Sequence, residues 1–354
     1  MPKFLLFSDI HVHPHKKSQD RLRDCLKVLD WVFETAIKKT VDFVLFGGDL
    51  LHDRQKIDTL TYVETYKILE KYQNNKFSTY LLVGNHDMWL ANDCEVASVM
   101  PFRALKNFEV VAEPKNIQLG GAEWFFLPYT HNPIEDLARC STDVAKTYLL
   151  GHLSIDGAKL NSTGSIADVV IEHDGDMIKI DRSLFIKFRK SFFGHYHSYQ
   201  KLTENVMYIG SPLQLSFGEA NDKKHIIILD TDTDNLEYIE NTFSPKHLYI
   251  KQDELEKYTK EDLEGNFVTI LSDNSDDREV KKDMALLTES GASTVQVKKL
   301  NKEIDQHAIS DAKSLLENEN TLLQKYVEQI PDLKLDKDLL LNLGQKIMHF
   351  KSEE

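Results

Sequence analysis

The chain has 354 residues, 41% of them apolar, which is more than one compact core needs; this predicts one large domain with one or two smaller pieces and argues against intrinsic disorder. A formal net charge of -14 excludes a protein that holds nucleic acid through a broad basic surface, so positive charge at such a substrate would have to come from bound divalent cations or a basic partner subunit. No apolar run reaches membrane-spanning length, "MPKFLLFSDIH" meets charge too early for a signal peptide, and Cys25, Cys94 and Cys140 lack CxxC spacing, so the expectation is a soluble cytoplasmic chain with reduced thiols and no membrane contact.

In chain order, five short apolar runs each end in a small residue followed by a metal-capable side chain. "KFLLFSD" ends in Asp9, "DFVLFGGD" in Asp49, and "TYLLVGNHD" in Asn85, His86 and Asp87. "TYLLGH" ends in His152 and "SFFGHYH" in His195 and His197. Runs this rich in Val, Leu and Phe read as strands buried on both faces. Between the first two, Leu22, Cys25, Leu26, Leu29, Val32, Phe33 and Ala36 recur at helical spacing, and residues 58 to 72 look similar. The β-α-β order predicts a layered α/β domain over residues 1–242, with the five strand ends converging on one crevice.

After Thr242 these motifs stop. "NFVTILSD", a helix over 278–290 closed by Gly291, and "STVQVKKL" predict a small β-α-β module within residues 243–304. Helical segments over 305–330 and 336–350, broken by Pro331, predict a helical tail over 305–354 whose apolar stripes either pack on their own domain or dock a partner helix.

The strand ends supply Asp, Asn and His and no cysteine, which suits hard or borderline divalent ions such as manganese, iron, magnesium or zinc. Seven donors exceed what one ion takes, whereas two ions sharing a carboxylate would use them, and two-metal sites serve phosphoester displacement. The two-residue strand period predicts that Asp9 and His11 point to one side of an extended chain, as do His195 and His197. Asp87 is expected to orient its loop. Asp53 and Arg54 stay ambiguous between helix-flanking residues and phosphate contacts.

The motifs "DIH", "GGDLLHDR", "GNHD", "GH" and "GHYH", in this order over residues 3–200, resemble the calcineurin-like metallophosphoesterases. "GGDLLH" and "YIGSPLQLSFGE" (208–219) narrow the likeness to SbcD-type DNA repair nucleases, with the phage version of that protein most similar. The resemblance implies a four-layer α/β/β/α sandwich with a small α+β capping domain and a C-terminal helical tail that docks an ATPase. It implies two divalent ions, manganese first: Asp9, His11, Asp49 and His197 holding one, and Asp49, Asn85, His152 and His195 the other. His86 would assist the leaving oxygen, with His52 orienting it. The implied partners are DNA, an SbcC-like ATPase of the SMC family and a second copy of the chain. The implied activity is exonuclease and endonuclease action in DNA repair or recombination; the alternative is a stand-alone phosphatase or phosphodiesterase. SbcD-type proteins tend to carry a small residue where His13 stands here, which leaves room for His13 to touch a substrate phosphate; the reading preferred for His13 and His15 is that of bystanders. His131, His173 and His225 are read as surface or packing residues.

Overall fold

The computed structural model describes residues 2–90, 94–160, 166–167, 169–173, 176–273 and 277–300, so the expected helical tail over 305–354 lies outside the described residues. The strands in its first half are β1 (Lys3–Phe7), β2 (Phe43–Phe46), β3 (Ser78–Leu82), β4 (Phe108–Val111), β5 (Lys115–Leu119), β6 (Ala122–Leu127) and β7 (Thr147–His152). There follow β8 (Val170–His173), β9 (Asp176–Lys179), β10 (Lys190–Gly194), β11 (Gln200–Lys201), β12 (Val206–Tyr208), β13 (His225–Asp230) and β14 (Asn235–Glu240). The last three are β15 (His247–Lys251), β16 (Phe267–Ser272) and β17 (Thr294–Lys299). The helices are α1 (Gln19–Lys38), α2 (Thr59–Tyr72), α3 (Pro133–Ala138), α4 (Lys260–Leu263) and α5 (Asp277–Glu289).

Two six-stranded sheets, ordered β14-β13-β1-β2-β3-β4 and β11-β12-β10-β7-β6-β5, pack face to face. The unbroken apolar runs follow from this, because both faces of each inner strand are covered. On β1, Phe4 and Leu6 enter the core between the sheets, while Leu5 and Phe7 point to the opposite core, under the helices. Tyr148 and Leu150 of β7 likewise face the first sheet, and Leu149 faces away.

Outside the first sheet, α1 buries Leu22, Cys25, Val28, Leu29, Val32, Phe33 and Ala36 against it. Ser18 caps α1 by accepting the Arg21 N–H, and Asp58 caps α2 by accepting the Thr61 N–H at 3.0 Å, each satisfying a backbone donor the helix leaves open. The fourth layer is thin. It consists of α3, short 3-10 turns and loops that cover Phe125, Leu149 and Phe193 with Ile155, Ile180, Phe185 and Phe188.

The third sheet, β15-β16-β17, is parallel, with α5 joining its second and third strands as the spacing predicts. Its first strand, β15, is not among the expected elements. This sheet is seated against the main body where Gln214 Oε1 accepts the His247 N–H at 2.6 Å and the Arg21 guanidinium lies 4.7 Å from the centre of the Phe267 ring. No helix among the described residues is long and apolar enough to cross a membrane.

Parallel register sets up the crevice. Phe7 lies beside Phe46 and Phe46 beside Leu81, so β1, β2 and β3 release their loops at one level; in the second sheet Gly194 lies beside His152.

Candidate metal centre

The loops that leave β1 and β2 are tied together by backbone bonds from Asp9 N–H to Gly48 O (3.0 Å), His11 N–H to Asp49 O (3.1 Å) and Val12 N–H to Leu50 O (2.8 Å). Asp9, His11, Asp49 and His195 all adopt left-handed backbone, with φ of 54°, 46°, 63° and 103°. This corrects the expectation from strand period. Asp9 and His11 do face one cluster with His197, but a tight turn beyond Phe7 brings them there, and His195 likewise turns out of β10. Non-glycine residues held in this region cost about 1–3 kcal/mol each and concentrate at functional sites.

Two glycines make the close approach feasible. A side chain on Gly48, whose φ is +102°, would meet His152 Nδ1 at 2.4 Å, and one on Gly84 would meet Asp49 Oδ1 at 2.2 Å. Asp87, fully buried, accepts N–H bonds from Asp49, Leu50 and Gly84, each at 2.9 Å, which fastens the "GNHD" loop to the "GGD" loop.

Within this frame Asp9, His11 and His197 offer donor atoms within 4.8 Å of one another, and so do Asp9, Asp49 and His152. Asp9 belongs to both sets, and Asp49 reaches from the second toward His11 of the first. Its Oδ1 accepts the His86 backbone N–H at 2.8 Å, while its Oδ2 lies 3.5 Å from His11 Nε2 and 3.3 Å from His152 Nε2. Asn85 Oδ1 lies 2.9 Å from His152 Nε2 and 3.0 Å from His195 Nδ1. Asp9 accepts the His195 N–H with both oxygens, at 3.0 and 3.1 Å.

Ring orientation shows what the cluster is built to take. A carbonyl only accepts, so the 2.7 Å contact with Gly47 O puts the hydrogen of neutral His152 on Nδ1 and turns a bare Nε2 toward the oxygens of Asn85 and Asp49. Glu219 Oε1 fixes His197 in the same way at 3.0 Å, leaving His197 Nε2 3.1 Å from His11 Nε2. Such lone pairs require either added protons or cations between them. The proton solution is visible in His152: burial lowers its pKa, but Asp49 and Asp9 outweigh burial and push it up to about 9. Burial also raises the Asp49 carboxyl, yet His152 and His11 overcome that and hold it well below the carboxylate range. Burial pushes the Asp9 carboxyl up against the pull of His152, with Asp49 adding to the push, and it takes His195 down to about 3. Nitrogen and oxygen donors without cysteine, converging on shared carboxylates, fit divalent cations.

His86 and His52 flank this cluster. His86 donates Nδ1–H to the His52 carbonyl at 2.7 Å, and His52 Nδ1 lies 3.3 Å from His11 Nδ1. His13 and His15 are nearer than bystanders: each ring packs on His52, and His13 Nε2 lies 3.1 Å from Asp53 Oδ2. Arg54 follows Asp53 and is half-buried. His131 is exposed, His225 packs between the rings of Tyr199 and Tyr238, and the side chain of His173 lies outside the described residues.

Sequence reasoning missed Glu219. It is buried, orients His197, and pairs at 2.7 Å with the equally buried Lys224. The signal was an acidic residue closing the apolar stretch "GSPLQLSFGE", where a buried charge needs a partner.

A model of the calcineurin-like phosphoesterase family matches residues 2–227. Exonuclease subunit 1 of Enterobacteria phage T4 is 24% identical over 311 residues, which cover 85% of this chain and 85% of that protein. The SbcD component of the SbcCD nuclease of Escherichia coli K12 is 25% identical over 283 residues, covering 69% of this chain and 68% of its own. The protein of the same name from Staphylococcus epidermidis is 23% identical over 278 residues, covering 69% of each.

Proposed function

The chain belongs to the calcineurin-like phosphoesterase family, hydrolases of phosphoester bonds, and from that premise we propose that it is the nuclease subunit of a DNA repair or recombination complex. The observation that carries this reading over a stand-alone phosphatase is the reach of the similarity. The family match stops at residue 227, but the likeness to an exonuclease subunit spans 311 residues and so extends into the third sheet. The acidic composition fits a division of labour in which an SMC-family ATPase grips the duplex and this chain, paired with a second copy in the cytoplasm, cuts it. The tail over 305–354 is the proposed docking segment for that ATPase.

On this reading Asp9, His11, Asp49 and His197 hold one cation, and Asp49, Asn85, His152 and His195 the other, with manganese the first choice. Divalent cations supply charge neutralisation at the scissile phosphate and acidify water into a nucleophile at neutral pH. The residues do the rest. Glu219 and the Gly47 carbonyl keep the His197 and His152 rings in the tautomers that leave Nε2 bare. His86, pinned through Nδ1 to the His52 carbonyl, would act in its doubly protonated form, giving its Nε2–H to the departing alkoxide oxygen and ending neutral with Nδ1–H still on the carbonyl, and His52 holds that geometry.

The test is degradation of linear duplex DNA with manganese, with and without the ATPase subunit from the same genome, beside a generic aryl phosphodiester. Cleavage of DNA that grows with the partner and ATP is the expected result. Hydrolysis of the small ester with no DNA cleavage under any condition would assign the chain to stand-alone phosphodiesterases.

A further inference from the structure

We propose that His13, His15 and His52 form a third divalent-cation site, of the class that takes zinc, beside the dimetal centre and separate from it. The three rings are mutual neighbours, with centroids 5.0 to 5.1 Å apart, and one ring nitrogen from each lies within 4.8 Å of the other two. Three imidazoles with an open fourth position are a common zinc donor set.

Two of the rings are already oriented from behind. His13 Nε2 lies 3.1 Å from the Asp53 carboxylate and His15 Nε2 3.1 Å from the His11 carbonyl; both partners accept, so each neutral ring carries its hydrogen on Nε2 and keeps a bare Nδ1. Carboxylate or carbonyl behind an imidazole is the usual support of a metal-binding histidine. His13 Nδ1 is moreover buried and has no hydrogen-bond partner, although a buried polar atom ordinarily has one. A cation at the ring cluster satisfies that nitrogen. Packing alone explains the ring contacts and leaves the nitrogen unexplained.

The inference does not depend on the nuclease reading. The two neighbourhoods meet at His52, whose Nδ1 lies 3.3 Å from His11 Nδ1 and whose carbonyl accepts from His86, and at His15, which the His11 carbonyl orients. None of the seven residues proposed to hold the two catalytic ions lends a donor atom to this group.

The test uses the full chain, stripped with a chelator and titrated with zinc alone by calorimetry, with bound metal counted by mass spectrometry after desalting. Wild type is expected to bind three equivalents and the His13→Ala/His15→Ala variant two, with unchanged thermal unfolding of the stripped protein. Asp53→Asn is expected to weaken only the third equivalent, about 10–100-fold. In an Asp49→Asn background one equivalent remains, and His15→Gln removes it. A zinc count that the His13→Ala/His15→Ala change leaves unaltered in a folded chain overturns the proposal. Should that double variant not fold, the loss or retention of one equivalent on His15→Gln decides.

Discussion

Glu219 Oε1 lies 3.0 Å from His197 Nδ1, while the other oxygen of the same carboxylate lies 2.7 Å from Lys224 Nζ, so one buried acid both aims a proposed metal ligand and neutralises a buried lysine. Glu219→Gln keeps a hydrogen-bonding side chain but removes the charge. We expect affinity for one cation to fall about 10–100-fold, the usual cost of losing the group behind a ligand. Breaking the Glu219–Lys224 pair is expected to cost about 3–5 kcal/mol in stability. Metal titration and chemical denaturation of the stripped protein measure the two effects separately.

The same carboxylate sets an acid limit. Burial raises Glu219, but Lys224 and His197 outweigh it and hold the group well below its ordinary 4.5. A depressed acid contributes its full stabilisation above that ordinary value and loses it as pH falls toward the folded-state pKa. Stripped wild type should therefore lose stability below about pH 4.5 more steeply than Glu219→Gln, as followed by denaturation midpoints across pH. Parallel curves would sever the link to Glu219.

On the proposed assignment Asp49 serves both ions: its Oδ2 faces His11 and His152 while its Oδ1 accepts the His86 N–H. Asp49→Asn should abolish phosphodiester hydrolysis and weaken both catalytic ions. Near-normal turnover would sink the site model.

His86 is held from behind by the His52 carbonyl and donates no atom to the proposed donor set. His86→Gln should keep the metal count while hydrolysis falls about 10²- to 10⁴-fold, the range for a lost general acid. Loss of bound metal instead would reassign His86 to the ligands.

Asp87 lends no atom to either proposed donor group, yet three buried backbone N–H groups, that of Asp49 among them, depend on it. Asp87→Ala leaves them unsatisfied at about 1–3 kcal/mol each. The expected result is a large drop in unfolding free energy together with loss of metal, and a variant as stable as wild type would refute the clamp.

Much of this was legible because the strands are buried on both faces: runs such as "KFLLF" and "TYLLGH" have no other stable use, and each ends at the crevice. The turns beyond them were less so. Nothing in "DIH" announces left-handed backbone at Asp9 and His11, and the two-residue period gave the right convergence for the wrong geometric reason. Strand β15 was missed because "HLYIK" is short and mixed, and its placement depends on pairing with β16 and on the Gln214 contact, both distant in sequence. The contacts of His13 and His15 were not legible because their neighbours, His52 and Asp53, come from another loop.

The place of β1 in its sheet has a consequence for how the molecule is made. Lys3 pairs with Asp230 and Leu6 with Ile227, so β1 sits between β2 and a strand synthesised more than two hundred residues after it. Contacts of such separation in sequence are slow to form. All seven proposed cation donors have been made by residue 197, while the edge of the strand carrying the first two is still open. A nascent chain, or a fragment stopped short of His225, thus owns the full set of donors before it owns the scaffold that locks Asp9 and His11 in place, and the open edge of β1 is where such a chain would pair wrongly or aggregate.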